Sequence, residues 1–411
     1  MARVDGVTSQ GTLHVVGAGL AGLAAGVAAA KAGTRVVLHE AAGHAGGRCR
    51  SFLDERLGRV IDNGSHLVLG ANRTALAYAR ATGGIEAMVA APPAFPFVDL
   101  LTGKSWTVSP KRLPAGLGEI FKALGLPWTG KAETVASRLG RTPSFTRLWL
   151  PMCEAIMNTA PDEASARMFA WTMRKALLGG SDALVPWTFP AGLSAALVAP
   201  ALATLALFGA ETHFRRRLKA LRPDALVFDD AEVRLNAADR VVLALPPWAV
   251  ETLLPGSTPA AMPTRPIVNA HFRCAQPVEL PHGSHFLGLV HASGHWLFAR
   301  GDVLSVTVSV AGALVDLDNE SIADRLWDEI RRALGMPPIA PPPYRIMKEK
   351  RATLAHDPLT IVARPGPVTG LDRVFLAGDW IASPWPCTIE AAICSGLAAA
   401  RLALARPGLT F

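Results

Sequence analysis

Three glycines near the start of the chain have the spacing that binds the pyrophosphate of a dinucleotide. Gly17, Gly19 and Gly22 form a G-x-G-x-x-G pattern, and Glu40 follows 18 residues after the last of them. The first glycine permits a tight turn, the second lets the backbone approach the phosphates, and the third lets a helix pack closely on a strand. A carboxylate such as Glu40 accepts hydrogen bonds from ribose hydroxyls and repels a 2′-phosphate, so the pattern disfavours NADP.

An arginine and two further glycines follow soon after Glu40, in the run Gly46-Gly47-Arg48. Two glycines allow the backbone to approach a ligand closely. The arginine offers a planar fork of donors to phosphate oxygens. These residues are therefore candidates for contacts with a phosphate-bearing ligand.

Two side chains in the segment Asp62-Asn63-Gly64-Ser65-His66 could transfer a proton. Asp62 and His66 are our candidate catalytic acids, since carboxyl and imidazole groups are common proton donors in enzymes. A structural interpretation also stays open for each. Aspartate before Asn-Gly often caps a turn, and His66 is also compatible with a buried, hydrogen-bonded core histidine.

The elements around the first motif are those of a Rossmann unit. Residues 12–17 predict a short buried strand, and the alanine-rich stretch after the glycines predicts a helix that ends near Gly33. Residues 34–39 predict a second strand, which leads to Glu40. Strand, glycine turn, helix, strand and acid therefore occur in the order that dinucleotide binding requires.

The far end of the chain contains a second group of candidate elements. Residues 373–377 predict a buried strand that ends at Gly378-Asp379, and a helix begins near Thr388. Residues 239–247 predict a further buried strand, followed by a proline turn. The positive end of the helix dipole after Thr388 would stabilise a negative charge placed against it.

The Gly-Gly-Arg turn after Glu40 and the GDW-x(5)-P-x-T-I-E segment that begins at Gly378 resemble the superfamily of flavin-containing amine oxidases and phytoene desaturases. The resemblance implies FAD as cofactor, with Asp379 at the ribityl chain and the helix after Thr388 directed at the pyrimidine end of the flavin. Ala391 departs from the superfamily pattern, which usually has glycine there. The implied FAD-binding residues are Gly17, Ala18, Gly19, Leu20, Ala21, Gly22, Glu40, Ala41, Gly46, Gly47, Arg48, Gly64, Ser65, Gly378, Asp379, Thr388, Ile389 and Ala392.

Two further segments resemble squalene-associated flavoenzymes, the hydroxysqualene dehydroxylases. One is Asp62 to His66, and the other is Trp149-Leu150-Pro151 with Asn158-Thr159 and Ser165. The resemblance covers most of the chain, although residues 1–11 match nothing. It implies reductive dehydroxylation of hydroxysqualene to squalene, in hopanoid biosynthesis, with hydride from reduced FAD, a proton donor and a dry apolar tunnel.

Three alternatives share parts of this pattern. A phytoene-type desaturase would use the same cofactor residues and a similar apolar tunnel. An amine oxidase usually places an aromatic residue where Thr388 stands, and the chain has only two tyrosines, although Trp380 and Trp385 could compensate. A non-catalytic isoprenoid-binding protein of the Rab escort and GDP-dissociation-inhibitor type would need none of the FAD motifs.

The expected fold class is α/β, a Rossmann-like FAD-binding domain of the amine oxidase and phytoene desaturase type with an inserted α+β substrate domain. We predict that the FAD-binding domain is discontinuous and that the remaining segments form the substrate domain. The FAD-binding parts are residues 1–85, 190–260 and 350–411, and the substrate parts are residues 86–190 and 261–350.

The amino-acid composition limits the classes of partner that the protein is expected to bind. The chain has 411 residues and a net charge of +8, but Arg215 to Arg217 form its only dense basic run and no nucleic-acid motif accompanies them. Nucleic acid is therefore excluded as a partner. The histidines, including His282 and His285, do not have metal-ligand spacing with nearby acids or cysteines, so no metal is expected.

The sequence also predicts where the protein works. Five scattered cysteines without a Cys-x-x-Cys pair, and no signal-peptide pattern, indicate the cytoplasm. The apolar run from Gly192 to Ala210 is interrupted by Pro200 and is too short to span a membrane, so it predicts a buried helix pair. Basic charge and high hydrophobicity are compatible with peripheral contact at an anionic membrane surface on the inner face, and equally with an ordinary solvated basic face.

Overall fold

The computed structural model describes residues 11–259 and 262–411. The strands are β1 Thr12–Val16, β2 Arg35–His39, β3 Ser51–Asp54, β4 Arg59–Asp62, β5 Val68–Leu69, β6 Val89–Ala90, β7 Phe95–Asp99, β8 Ser105–Val108, β9 Pro186–Thr188, β10 Glu211–His213, β11 Leu218–Arg222, β12 Ala225–Phe228, β13 Glu232–Arg234, β14 Arg240–Leu243, β15 Thr264–Arg273, β16 Phe286–Val290, β17 Trp296–Arg300, β18 Val303–Val308, β19 Tyr344–Leu354 and β20 Val374–Leu376.

The helices connect and cover these strands. They are α1 Leu20–Lys31, α2 Arg73–Thr82, α3 Leu117–Ala123, α4 Val135–Leu139, α5 Leu150–Met157, α6 Ala166–Leu177, α7 Ala199–Leu207, α8 Pro247–Leu253, α9 Asn319–Leu334, α10 Pro358–Ala363 and α11 Ile389–Ala403. Short π-helical segments, Phe145–Trp149 and Ser194–Val198, lead directly into α5 and α7.

A five-stranded sheet in the order β10-β2-β1-β14-β20 forms the centre of the parallel α/β part of the molecule. All of its strand pairs are parallel, with Val16 opposite both His39 and Leu243, and Leu243 opposite Leu376. The carboxyl ends of the strands therefore lie along one edge of the sheet. That edge is where ligands bind in open α/β sheets.

Helix α1 consists mostly of alanine, leucine and glycine, and it is buried from Leu20 to Ala30. Such a helix has no polar face to expose, so it packs on several sides at once. It contacts α11 along its length, and a Cβ atom on Gly396 would lie 2.0 Å from the carbonyl oxygen of Ala21. Only glycine permits this close contact between helices from opposite ends of the chain.

The second large sheet has seven strands in the order β19-β15-β18-β17-β16-β7-β8. Its pairs are antiparallel except for β7 with β16. The amphipathic helix α9 begins at its cap Asp318, ends before Gly335, and packs its apolar side into the core of this sheet. Helices α3, α4, α5 and α6 share a separate core with strands β7, β8 and β16.

The expected α/β fold class is confirmed, whereas the predicted domain boundaries stay a prediction. Strand β19 crosses the proposed boundary at residue 350, and residues 1–10 and 260–261 of the predicted segments lie outside the described residues. Among the described residues, no helix is long and apolar enough to cross a membrane. The run from Gly192 to Ala210 folds as the π-helical segment followed by α7.

Three buried histidines are expected to make the fold sensitive to acid. Burial lowers the pKa of His39 to about 3 and of His271 and His356 to about 4. Because the unfolded chain takes up protons near pH 6.5 and the folded chain does not, the free energy of unfolding should fall as pH decreases from about 6.5 to about 4. At pH 5 each histidine should cost about 2 kcal/mol.

Denaturant unfolding at pH 7.5 and pH 5.0, with all other solution components held constant, measures this effect. His271→Asn should reduce the loss between the two pH values by about 2 kcal/mol, whatever its effect at pH 7.5. The exposed His282 provides the control, and His282→Gln should leave the loss unchanged. Equal pH dependence in wild type and His271→Asn would contradict the prediction.

Candidate functional site

The first glycine motif forms the turn between β1 and α1. Gly17 has φ +104°, and a Cβ atom there would lie 2.4 Å from the carbonyl oxygen of Ala244. A Cβ atom on Gly22 would lie 1.9 Å from the carbonyl oxygen of Gly17. At Gly19, by contrast, a Cβ atom would meet nothing within 4 Å. The open space therefore lies at the N-terminus of α1, where unpaired N–H groups bind phosphate.

Glu40 stabilises this turn from the end of β2. One carboxylate oxygen accepts a hydrogen bond from the N–H of Ala18 at 2.7 Å, and the other accepts one from the N–H of Ala42 at 2.7 Å. The carboxylate thus lies beside the open space at Gly19. A carboxylate oxygen can accept further bonds, so the predicted contact with ribose hydroxyls is compatible with this geometry.

The second glycine motif lies directly against the first. The N–H of Gly46 donates to the carbonyl of Ala18 at 2.8 Å, and Gly19 and Gly46 form an isolated parallel bridge. Gly46 and Gly47 have φ +101° and +56°, which favours glycine at both positions. The structure therefore brings together the two turns that sequence analysis identified separately.

Arg48 connects the N-terminal motifs to the C-terminal one. Its guanidinium group donates to a carboxylate oxygen of Asp379 at 2.7 Å and also to the carbonyl of Ala352. The charge of Asp379 raises the pKa of Arg48, so the side chain stays cationic. Although Arg48 is closely surrounded by other residues, 48% of its side chain is accessible, and we call the open space beside it the cleft. This cation is available to an anionic ligand in the cleft.

The Gly378-Asp379 turn follows β20 at the same edge of the sheet. Gly378 has φ +153°, and a Cβ atom there would lie 2.5 Å from the indole nitrogen of Trp380. Trp380 is buried and donates to the carbonyl of Leu245 at 2.9 Å. Its ring therefore packs beside the sheet, so its indole N–H is not free to frame a substrate amine.

Arg364 holds the segment after Asp379 in place, and sequence analysis missed it. This buried arginine donates to the carbonyls of Asp379, Ser383 and Trp385. A lone arginine without a surrounding motif gives no signal in the sequence. Its contacts fix the path of the chain between β20 and α11.

Helix α11 begins at Thr388, as predicted, and Thr388 accepts a hydrogen bond from the N–H of Ala391. The neighbouring Glu390 is buried, and its carboxylate accepts from the N–H groups of Thr74 at 3.1 Å and Ala75 at 2.8 Å. Glu390 therefore caps α2. This motif glutamate stabilises the fold rather than facing the cleft.

Asp62 is buried at the end of β4 and accepts hydrogen bonds at both oxygens. One oxygen accepts from the hydroxyl of Ser51 at 2.5 Å and the N–H of Leu193 at 3.0 Å, and the other accepts from Arg300 at 2.9 Å. Two side chains and one backbone N–H thus donate to the Asp62 carboxyl group. The surroundings of Asp62 suit an acceptor better than a proton donor.

His66 is exposed and lies four residues after Asp62. Its Nδ1 lies 2.8 Å from the carbonyl oxygen of Gly64, which requires a proton on Nδ1 and leaves Nε2 free. The ring is accessible to solvent but has many protein atoms around it. The resulting desolvation lowers the pKa of His66 from the ordinary histidine value. Gly64 in turn approaches Asn269, whose side chain accepts a hydrogen bond from Thr307 at 2.7 Å.

These residues fit FAD. The gap at Gly19, the accessible Arg48 and the turn at Gly378 lie at one edge of the parallel sheet, as a ligand with a pyrophosphate and a long chain requires. Bound there, FAD would supply hydride chemistry. In residues 11–259 and 262–411, no group of three or more histidine, cysteine, aspartate or glutamate side chains could hold a metal ion. The fold and the site define an FAD-dependent oxidoreductase.

The chain belongs to the family described as flavin containing amine oxidoreductase, whose model matches residues 20–404. It is 40% identical to hydroxysqualene dehydroxylase of Rhodopseudomonas palustris, over 96% of this chain and 98% of the relative. It is 39% identical to hydroxysqualene dehydroxylase of Sinorhizobium fredii, over 95% and 98% of the two chains.

A solved structure has the same fold. Cyclohexylamine oxidase of Brevibacterium oxydans superposes with a TM-score of 0.72 at 17% identity, over 96% of this chain and 99% of that one. The prediction of an FAD-binding fold of the amine oxidase type is confirmed. FAD is accordingly the cofactor of this protein.

Proposed function

We propose that this protein removes the hydroxyl group of hydroxysqualene reductively and yields squalene. In the reaction the C–O bond breaks, a C–H bond forms, and the hydroxyl leaves as water after it receives a proton. Reduced FAD supplies the hydride. The whole-length similarity to two proteins of this name is the observation that carries the proposal.

Contacts of the squalene-associated segment add support. His356 donates its N–H to the hydroxyl of Thr159 at 3.0 Å, and its carbonyl accepts from the N–H of Ser165 at 2.8 Å. The Nε2 of the same histidine accepts from the N–H of Cys387 at 2.9 Å. Through His356 the segment that resembles hydroxysqualene dehydroxylases is therefore fixed to the FAD-associated segment before α11.

The surroundings of the two candidate acids favour His66 as proton donor. Within residues 11–259 and 262–411, Nε2 of His66 has no hydrogen-bond partner and the ring is exposed, whereas both oxygens of Asp62 accept hydrogen bonds. We propose that His66, when protonated, donates to the leaving hydroxyl and that Asp62 positions the neighbouring backbone. An anion bound beside His66 would raise its pKa again and so favour the protonated form.

The proposal is tested under anaerobic conditions. FAD-loaded protein, chemically reduced, is incubated with hydroxysqualene while flavin absorbance is followed and the lipid extract is analysed by mass spectrometry. We expect about one squalene per reoxidised flavin, because each turnover consumes one hydride. Oxidised protein is the control and should form no squalene.

Unchanged hydroxysqualene beside a reducible flavin would contradict the proposed reaction. Hydrogen removal from a polyene precursor by the oxidised protein would then support the desaturase alternative. A protein that never takes up FAD would support the non-catalytic isoprenoid-binding alternative. We further propose that the protein is cytoplasmic and contacts the membrane peripherally, since its substrate is an apolar isoprenoid.

A further inference from the structure

Four large apolar side chains are exposed on α3 and the loop that follows it. Leu117 and Phe121 lie one turn apart on α3 and are 76% and 54% exposed. Leu126 and Trp128 lie on the loop and are 44% and 87% exposed. We call residues 111–131 the apolar cap. Four large exposed apolar side chains within twelve residues are typical of an interaction site.

The loop of the apolar cap is held in a fixed conformation. Arg138, whose side chain is only 10% exposed, donates to the carbonyls of Lys122, Leu126 and Trp128, each at 2.8 Å. Arg174 donates to the carbonyl of Leu124 at 2.6 Å. Because the backbone is held at four carbonyls, the apolar side chains cannot turn inward without loss of these charged hydrogen bonds.

The fully exposed charges on the apolar cap are all positive. Lys111, Arg112, Lys122 and Lys131 are all exposed. Glu119 is the single acid between residues 111 and 131, and its oxygens already accept from the hydroxyls of Thr142 and Ser144 and from a backbone N–H. The exposed charge is therefore entirely positive and complementary to an anionic surface.

The cap is also close in structure to the candidate site. Helix α3 packs on α6, and Trp171 of α6 lies edge-on to Trp385 at 6.4 Å between ring centroids. Trp385 belongs to the segment held by Arg364. One helix thus separates the cap from the FAD-associated segment.

We propose that the apolar cap binds the surface of a membrane that contains anionic lipids. Leu117, Phe121, Leu126 and Trp128 enter the headgroup region and the upper acyl chains, while the lysines and the arginine contact lipid phosphates. An indole ring suits this position, because it is apolar with one polar N–H. This membrane contact rests on the proposed function, because hydroxysqualene is a substrate that dissolves in membranes. Binding of the cap to lipid itself needs no substrate.

Sedimentation with lipid vesicles tests the proposal. FAD-loaded full-length protein is mixed with vesicles of phosphatidylcholine, with and without phosphatidylglycerol, at low and high salt. We expect binding to the anionic vesicles that weakens at high salt. The double variant Phe121→Ser and Trp128→Ser should bind at least about tenfold more weakly, since two large apolar side chains no longer enter the lipid. The double variant Lys122→Glu and Lys131→Glu should lose most of the preference for anionic vesicles.

The matched control removes exposed apolar side chains elsewhere. Leu207 and Phe208, at the end of α7, are 82% and 48% exposed, and their replacement by serine should leave vesicle binding within about twofold of wild type. Flavin absorbance and the midpoint of thermal unfolding verify that each variant is folded.

Three results would overturn the proposal. The first is that the wild type does not bind vesicles at low salt, and the second is that the cap and control variants lose equal amounts of vesicle binding. The third is that the cap forms a dimer contact and the protein does not bind vesicles. Failure of the proposed reaction can be distinguished from failure of the membrane-binding proposal, since vesicle binding is measured without hydroxysqualene. Cap-dependent vesicle binding by a protein that forms no squalene would contradict the proposed reaction and still support the proposed membrane-binding surface.

Discussion

Gly19→Val is expected to weaken FAD binding at least about a hundredfold, or about 3 kcal/mol, while the fold stays intact. The protein tolerates the new side chain, because a Cβ atom at Gly19 meets no atom within 4 Å and the backbone has φ −71° and ψ 176°. The isopropyl group would instead fill the space at the N-terminus of α1 that the pyrophosphate requires. Flavin titration followed by fluorescence measures the affinity, and circular dichroism measures the fold.

Substitutions at two other glycines serve as controls for Gly19→Val. Gly116 caps α3 with nearly the same backbone angles, φ −73° and ψ 157°, and its Cβ position is also open. Gly116→Val should therefore leave FAD affinity unchanged. Gly22→Val should unfold the protein or lower its thermal midpoint strongly, because the Cβ atom would lie 1.9 Å from the carbonyl oxygen of Gly17. Normal FAD affinity in Gly19→Val would show that the pyrophosphate does not approach this turn.

Replacing His66 with glutamine is expected to lower the rate of flavin reoxidation by hydroxysqualene about a hundredfold or more, with FAD affinity retained. Glutamine cannot donate a proton as an acid does, although it can keep a hydrogen bond. Since desolvation by the surrounding protein lowers the pKa of His66, the wild-type rate should fall as pH rises through a value below 6.5. The His66→Gln variant should lack this pH dependence. Single-turnover reoxidation between pH 5.5 and pH 8 provides the measurement.

The Asp62→Asn variant tests whether Asp62 positions neighbouring groups or donates the proton. Asparagine keeps an acceptor oxygen for Leu193 but cannot pair ionically with Arg300. We expect a lower thermal midpoint and a smaller loss of rate than in His66→Gln, with the pH dependence retained. The exposed His285 supplies the control, and His285→Gln should leave the rate unchanged. If Asp62→Asn removes the pH dependence instead, the proton donor is Asp62.

Local motifs were the most predictable part of the site. Gly17 and Gly22 each have a separate steric reason that depends on a neighbour close in sequence or near the adjacent strand, and the structure places both in the predicted turn. The start of α11 at Thr388 likewise follows from a side chain that caps its own helix. Such features depend on short-range geometry, which the sequence encodes directly.

Partners distant in sequence could not be predicted. Arg48 was expected at the cofactor, but nothing in its own segment indicates that it pairs with Asp379. Arg300 reaches Asp62 from a different sheet, so this ion pair depends on how two sheets pack. Glu390 and Trp380 stand inside a cofactor motif and yet stabilise α2 and the sheet. Motif position therefore does not separate predicted ligand contacts from structural ones.

The ion pair of Arg48 with Asp379 joins residues 331 positions apart, and Gly396 contacts the backbone of Ala21. Both contacts connect parts of the chain that are synthesised far apart in time. On a ribosome, Arg48 emerges 331 residues before Asp379, so the site is incomplete until the later segment has been made. FAD capture should accordingly follow synthesis of the Gly378-Asp379 turn, and a chain truncated before this turn should bind FAD more weakly than the intact chain.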